Sequence, residues 1–335
     1  MVTQTPEADF RVTYLDEIPS VHIPVRLSVL EAVNFKTTCQ QLFSENSKNT
    51  VPSKIVLDFS DTTFIDSSGI GALVSNLKFA KQRECDLVLR SLKPQVMAVF
   101  ALTSLDQVLT IEPSPVSTAP AENNRADSQL PVTHPSVRSL VKRLIDIVGA
   151  IVGLIITGIL FIPIVAAIKI NDPGPIFFAQ TRCGWMGKRF QIWKFRSMCT
   201  NAEALKSQIK NQASGAFFKN DNDPRITKVG RILRKTSLDE LPQFWNVLKG
   251  EMSLVGTRPP TPDEVDRYEV PQWQRFDVKP GMTGEWQVNG RSQVRNFEDV
   301  IRLDLKYQEN WSLMYDLKLI VKTIAVLFNK NSGAV

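Results

Sequence analysis

The residues with the clearest chemical potential are two adjacent carboxylates, Asp239 and Glu240. Arginines precede and follow this pair in the chain, namely Arg231, Arg234 and Arg258. Carboxylate oxygens are the ligands that Mg²⁺ prefers, and guanidinium groups bind phosphate oxygens through charge-assisted hydrogen bonds. A metal held by the carboxylate pair beside these arginines would therefore form a site for a diphosphate.

The residues after the pair predict a helix whose N-terminus follows the carboxylates directly. Pro242 fits the first helical position and Gly250 fits the end, and a helix N-terminus attracts anions. The alternative is a plain helix cap, because Ser237 followed three residues later by Glu240 also matches a capping box. The density of carboxylates, arginines and turns favours the anion site over the cap.

The string SLDELPQ…NVLKGEMSLVGTRP resembles the signature of the bacterial sugar transferases, the monotopic polyprenyl-phosphate phosphoglycosyl transferases. Two further strings match the family in the same order, QTRCG…KFRSM and KPGMTGEWQVNGR. The resemblance covers about residues 138–329. It implies transfer of sugar-1-phosphate from a UDP-sugar to undecaprenyl phosphate, with release of UMP, as the first membrane step of surface glycan synthesis.

The resemblance also implies roles for individual residues. Asp239 would be the nucleophile that forms an aspartyl-phosphosugar intermediate, and Glu240 would hold Mg²⁺ with it or shape the pair. Phosphate oxygens would be bound by basic residues in or just before the matching strings: Lys194, Arg196, Arg234, Arg258 and Arg291. Trp286 would be a packing residue.

The composition of the chain limits which kinds of site and which partners are expected. The chain has two histidines, neither near the carboxylate pair, and four scattered cysteines without a CxxC pair, which argues against a zinc site and a disulfide framework. Residues 137–335 hold 29 Lys and Arg against 19 Asp and Glu, which suits an anionic partner: nucleic acid, nucleotide-sugar or membrane surface. The resemblance implies a nucleotide-sugar and a membrane surface as partners, so no nucleic acid is expected.

The first 113 residues predict a small α/β domain with a partly parallel sheet. Residues 54–60 and 86–90 read as strands, and helices are expected after Ser67 and over 94–102. The string FIDSSGIGAL resembles the phospho-acceptor loop of STAS domains, the anti-sigma-factor antagonist family. That resemblance makes Ser67 the candidate phosphorylation site and implies a regulatory protein partner, with a plain helix cap as the alternative.

Residues 114–136 are rich in proline and poor in apolar side chains, which predicts a flexible linker through which strain passes poorly. The opening residues are polar, so no signal peptide is expected. Residues 147–168 contain no charged side chain, and an uncharged apolar stretch of this length is long enough for a membrane segment. Pro163 predicts a kink within that segment. The chemistry expected on either side is cytoplasmic, so we expect a re-entrant helix hairpin in the cytoplasmic membrane.

The remaining residues, 171–335, predict a compact α+β catalytic domain. Strands are expected at 176–182 and 190–196, and residues 311–328, with Lys318, Lys322 and Lys330 nearby, predict an amphipathic interfacial helix. Asp221 and Asp223 form a DxD triplet with Asn222, which leaves a GT-A glycosyltransferase as a minor alternative. A rival from another class is a non-enzymatic membrane scaffold for STAS signalling. The sugar and the oligomeric state, including a homo-oligomer, stay open.

Overall fold

The computed structural model describes most of the chain. The described residues are 10–15, 17–44, 52–112, 133–205, 208–216, 220, 222–289, 294 and 296–328. They form two compact units. The first unit contains residues 1–133 together with 186–188 and 269–277, and the second contains 134–185, 189–268 and 278–335. Most of the predicted linker, residues 114–132, lies outside the described residues.

The first unit is the predicted α/β domain. Its strands are β1 (Val12–Leu15), β2 (Ile18–His22), β3 (Arg26–Leu27), β4 (Lys54–Asp58), β5 (Phe64–Ile65), β6 (Asp86–Arg90) and β7 (Thr110–Ile111). Five of them form one sheet in the order β1-β2-β4-β6-β7, in which β1 is antiparallel to β2 and the other pairs are parallel. The strands β3 and β5 form a separate parallel pair.

The described residues of this unit also form the helices α1 (Val29–Ser44), α2 (Ser67–Gln82) and α3 (Pro94–Thr103). The three central residues of β4, Ile55, Val56 and Leu57, are all buried. This pattern is typical of a parallel strand covered on both faces, and it explains why the strand reads as an uninterrupted apolar run. The strands and helices predicted for this region are therefore present.

The second unit contains two small sheets and a larger set of helices. A hairpin is formed by β8 (Phe177–Cys183) and β9 (Arg189–Phe195), and β10 (Ser253–Val255) runs parallel to β11 (Gly281–Thr283). The helices are α4 (Pro135–Arg138), α5 (Leu140–Asn171), α6 (Ala202–Leu205), α7 (Lys228–Lys235), α8 (Phe244–Lys249), α9 (Pro262–Val265), α10 (Glu285–Asn289), α11 (Phe297–Glu309) and α12 (Leu313–Phe328). The hairpin was predicted from its alternating strands around a glycine turn.

Helix α5 is the element that carries the predicted membrane segment. Among the described residues it is the one helix long and apolar enough to cross a membrane. One face packs on the unit along its whole length: Gly153 lies against Phe244, and Ile164 and Ile168 pack with Phe195. The opposite face exposes apolar side chains: Val148, Ile151, Val152, Ile155, Ile156, Ile159 and Ile162.

Pro163 lies inside α5, which the structure assigns as one helix and not as two helices separated by a break. The predicted interruption is not present as a break, since a proline removes one backbone donor and kinks a helix without having to end it. The re-entrant arrangement stays a prediction. Helix α5 begins with a Ser139 cap, whose side chain accepts from the Lys142 amide.

The helix expected over residues 311–328 is present as α12, and α11 precedes it as a separate helix. The break lies at residues 310–312, where the Ser312 hydroxyl accepts from the Tyr315 amide and starts the second helix. Helix α12 exposes an apolar stripe formed by Met314, Leu317, Val321 and Ile324. This spacing of three and four residues puts the four side chains on one face, as expected for an interfacial helix. Lys330 lies outside the described residues.

Candidate active site

The carboxylate pair lies in a 3-10 turn, Leu238–Gln243, between α7 and α8. Ser237, before the turn, has a φ of 54°, and its side chain makes no capping hydrogen bond. The capping interpretation of this stretch is therefore not supported by the local geometry. Helix α8 ends at Gly250 with a φ of 81°, as predicted.

One detail of that prediction is wrong, since α8 begins at Phe244 and Pro242 lies inside the preceding 3-10 turn. The left-handed residue Ser237 reverses the chain after α7, and the tighter 3-10 turn then carries Asp239 and Glu240 before α-helical geometry is reached. Both carboxylates still precede the helix, although residues 241–243 lie between Glu240 and Phe244.

Lys194 reaches the carboxylate pair from the hairpin. Its Nζ lies 3.1 Å from Oε1 of Glu240, and both side chains are about one quarter exposed. Lys194 belongs to β9, where it stands opposite Phe178 of β8. The antiparallel register of the hairpin therefore holds the Lys194 side chain beside Glu240. Binding of a phosphate oxygen by Lys194 stays a prediction.

Arg234 supplies a second cation from the end of α7. Its Nε donates to Oγ of Ser197 over 2.9 Å. Burial lowers the pKa of Arg234, and the negative charges of Asp239 and, more weakly, Glu240 oppose that effect. Asp239 itself is only 5% exposed. The attraction between Arg234 and the buried carboxylate of Asp239 thus offsets part of the cost of removing the guanidinium from water.

Arg258 is held in place by Glu264. Its two terminal nitrogens donate to the two Glu264 oxygens over 2.8 and 3.0 Å, and its guanidinium lies 5.9 Å from the centre of the Trp286 ring. Burial opposes the charge of Glu264, but the Arg258 guanidinium outweighs it and lowers the pKa of that carboxyl to about 2. Glu264 is also the acceptor in a capping box with Thr261. Arg258 is thus oriented by a buried bidentate ion pair.

Arg182 belongs to this site although the sequence did not single it out. It donates to the Pro259 carbonyl over 2.9 Å and to Oε1 of Gln180 over 2.7 Å. Burial lowers its pKa to about 10, the charge of Arg258 adds to that lowering, and the carboxylates Glu264 and Glu240 oppose it. The available signal was the QTRCG string, in which Arg182 is the basic residue.

The other predicted phosphate-binding residues are placed differently. The buried guanidinium of Arg196 lies 3.3 Å from the Asp172 carboxylate and also donates to the Asp172 carbonyl, which ties β9 to the end of α5. Arg291 lies outside the described residues, as does Asp221 of the DxD triplet. Asp223 accepts hydrogen bonds from Arg225 through both carboxylate oxygens, so its charge is already compensated.

Ser67 is the first residue of α2 and is completely buried. The cap of this helix is supplied by Asp66, whose Oδ1 accepts from the Gly69 amide over 2.9 Å. The cap that was the alternative for this stretch is therefore made by the aspartate. Phosphorylation of Ser67 stays a prediction.

The chemical type of the side chains at the site indicates which metal ion they would bind. The described residues contain no group of three or more His, Cys, Asp or Glu side chains placed to hold a metal ion. Asp239 and Glu240 are two carboxylates, and Mg²⁺ is commonly bound by one or two carboxylates together with substrate phosphates. These residues fit Mg²⁺ that arrives with a diphosphate donor.

Comparison with known proteins gives two family matches along the chain. The family model for the bacterial sugar transferases matches residues 137–330, and the STAS domain model matches residues 11–117. Both resemblances noted in the sequence are therefore confirmed.

Individual relatives match the transferase region. "Galactosyl transferase CpsE" of Streptococcus agalactiae is 50% identical over 190 residues, which are 56% of this chain and 42% of that protein. "UDP-glucose:undecaprenyl-phosphate glucose-1-phosphate transferase" of Escherichia coli is 40% identical over 195 residues, 56% of this chain and 40% of that protein. "Exopolysaccharide production protein ExoY" of Rhizobium meliloti is 37% identical over 203 residues, 58% of this chain and 89% of that protein.

The chain thus spans about two fifths of the length of the first of these relatives and nearly all of the third. Because the family model matches more than half of the 335 residues, and because that match contains the Asp239–Glu240 pair with Lys194, Arg234 and Arg258, this chain belongs to the bacterial sugar transferase family.

Proposed function

We propose that the chain transfers sugar-1-phosphate from a UDP-sugar to undecaprenyl phosphate and releases UMP. The observation that carries this proposal is the buried Asp239 beside the Lys194–Glu240 pair and Arg234, in a unit that also exposes apolar faces on α5 and α12. An anionic diphosphate and a membrane-bound acceptor are the substrates that such an arrangement suits. The names of the relatives from Streptococcus agalactiae and Escherichia coli support the reaction class.

The first half-reaction uses Asp239 as the nucleophile. One of its carboxylate oxygens attacks the phosphorus that carries the sugar, the bond between that phosphorus and the UMP oxygen breaks, and UMP leaves with the electron pair. The product is an aspartyl-phosphosugar. Attack by an anion on a diphosphate requires charge neutralisation, and Lys194, Arg234 and Arg182 are the cations beside the pair that would provide it.

In the second half-reaction an oxygen of undecaprenyl phosphate attacks the same phosphorus. The bond to the Asp239 oxygen breaks, the carboxylate is restored, and the lipid carries a diphosphate-linked sugar. Mg²⁺, when bound by Asp239 and Glu240, would neutralise charge on the diphosphate. Arg258 would bind a phosphate oxygen in the orientation set by Glu264.

A monotopic arrangement at the cytoplasmic membrane is supported by how α5 is held. Near its start Lys142 donates to the Val255 carbonyl over 3.0 Å, and at its end the Asn171 side chain accepts from the Val229 amide over 2.9 Å. Both ends are thus bound to one compact unit, whereas a spanning helix would carry its far end across the bilayer. The exposed apolar face of α5 would then lie in one leaflet, and the exposed stripe of α12 is a second apolar surface for the same membrane.

The proposal is tested with purified chain in nanodiscs containing undecaprenyl phosphate. Radiolabelled UDP-glucose, UDP-galactose and their acetamido counterparts are offered separately, and label that partitions into organic solvent is measured with and without Mg²⁺. One sugar should give an extractable product together with stoichiometric UMP. Absence of any extractable product, with membrane binding retained, would instead favour the scaffold.

A further inference from the structure

The segment 269–277 lies in the first compact unit, although its sequence belongs to the matched transferase region. It contains a 3-10 turn, Val270–Asp277, that packs on helices α1 and α2. The short segment 186–188 joins the same unit. The α/β module therefore holds two pieces of chain that are distant from it in sequence.

Trp273 is the centre of this packing. It is 7% exposed, and its indole ring lies so close to Gly71 of α2 that a Cβ at position 71 would be 2.5 Å from the Trp273 Cγ. On another side, a Cβ at Gly187 would be 3.0 Å from the Trp273 Cζ3. Any side chain at Gly71 would displace the ring, so the indole fits a recess formed by the absence of a side chain on α2.

The N-terminus of α2 is occupied by the same segment. The Ser67 amide donates to Oδ1 of Asp277 over 3.2 Å, and the Ser67 hydroxyl donates to the Met186 sulfur over 3.3 Å. The Asp277 carboxyl group thus occupies the helix start, where the backbone N–H groups would otherwise face a separate ligand. At the other end of the segment, Lys36 of α1 pairs with Glu269 over 2.8 Å.

We propose that segment 269–277 is a built-in ligand of the STAS-like module. It is bound by an indole in the Gly71 recess, a carboxylate at the α2 N-terminus and an ion pair to α1. While it is bound, this face of the module is closed to a separate protein partner, and a phosphate on Ser67 would face the carboxylate of Asp277. In this proposal the module is joined to the transferase sequence by segment 269–277 as well as by the linker.

The test is hydrogen exchange of the full chain, read by mass spectrometry at peptides covering residues 269–277. Gly71→Ala should increase exchange there at least tenfold, because the new Cβ displaces Trp273. Gly158→Ala is the matched control: it makes the same change in a helix, but a Cβ there meets no atom within 4 Å. Exchange in β4 and β6 should stay slow in both variants, which shows that the module remains folded.

A double-mutant cycle tests whether the contact itself is responsible. In a Trp273→Ala background, Gly71→Ala should cause no further increase at residues 269–277. If Gly71→Ala leaves the exchange unchanged, or if the two effects simply add, the segment is not a ligand of α2.

The ion pair provides a second route in case Gly71→Ala unfolds the module. Lys36→Glu should raise exchange of the segment, and Glu269→Lys in the same chain should restore it. Failure of the reversed pair to restore protection would contradict the proposal.

Discussion

Replacing Glu264 by glutamine should destabilise the second unit by removing the partner of a buried guanidinium. Glutamine keeps the shape of glutamate and can still accept a hydrogen bond in the capping box with Thr261. The substitution therefore isolates the ion pair between Glu264 and Arg258, whose two hydrogen bonds are 2.8 and 3.0 Å long. Arg258 would keep its charge while losing the carboxylate that compensates it.

Two independent values agree on the expected loss in the free energy of unfolding. The pKa of Glu264 is lowered from 4.5 to about 2. At ~1.4 kcal/mol per pKa unit this corresponds to about 3 kcal/mol. Removal of one partner of a buried ion pair costs about 3–5 kcal/mol, which is consistent. At about 2–4 °C per kcal/mol for a unit of this size, the melting temperature should fall by roughly 6–12 °C.

The pH dependence follows from the direction of the shift. A carboxyl whose folded pKa is lowered contributes stability above its unfolded pKa, and that contribution is lost as the pH falls towards the folded value. The wild-type protein and the Glu264→Gln variant should therefore differ fully at pH 7 and converge between pH 4.5 and pH 2.

Thermal melting in detergent, followed by tryptophan fluorescence, measures this difference. Asp263→Asn is the control, since it removes the neighbouring carboxylate, which is exposed. Surface substitutions of this kind change stability by about 0.5 kcal/mol or less. A loss for Glu264→Gln no larger than that of the control would refute the account of Arg258 as a residue held by a buried ion pair.

Three further results are expected. Lys194→Gln should lower kcat/KM for the UDP-sugar at least tenfold because the ammonium at the dyad is lost, whereas exposed Lys228→Gln should not; equal effects would remove Lys194 from the site. Single cysteines within 114–132 and after residue 328, in a cysteine-free background, should both resist an impermeant thiol reagent on intact cells and react after lysis; labelling of only one would indicate a spanning helix. Burial, reinforced by Asp66, raises the pKa of Asp277 to about 7, so the first unit should lose stability as the pH rises from about 4 through 7, and Asp277→Asn should flatten that dependence in melting curves.

Local pattern was enough to predict the elements that carry the site. The β8–β9 hairpin and the strands β4 and β6 of the first unit follow from apolar and β-branched runs bounded by turns, which is information held within a few neighbouring residues. Lys194 was suggested as a phosphate-binding residue by shared motifs alone. Its geometry depends on the antiparallel register of the hairpin, which the sequence pattern does not specify.

Contacts between residues distant in sequence are not predicted by local sequence patterns. Arg182 joins the site through the Pro259 carbonyl, and Arg196 is engaged by Asp172 at the end of α5. Both are basic residues in strings that match the family. Only their tertiary contacts show that Arg182 joins the site and that Arg196 pairs with Asp172 instead. In the sequence, Gly71 is one small residue among others in a predicted helix. A side chain is excluded there by the ring of Trp273, which lies about two hundred residues later in the chain.

The prediction for Pro242 differed from the structure for a local reason. Proline is accepted both in the first turn of an α-helix and in a 3-10 turn, and the two choices differ by only a few residues in where the helix begins. The left-handed conformation of Ser237 selects the second choice, and a serine with positive φ is not predicted by its residue type.

Formation of the aspartyl-phosphosugar is tested by the intact mass of the protein after incubation with its UDP-sugar and Mg²⁺ in the absence of undecaprenyl phosphate. We expect release of one equivalent of UMP and a mass increase equal to one sugar-phosphate, located on the peptide that contains Asp239. Asp239→Asn should show neither, while exposed Asp263→Asn should show both. UMP release by Asp239→Asn at the wild-type rate, or a sugar-phosphate located on another residue, would contradict the assignment of Asp239 as the nucleophile.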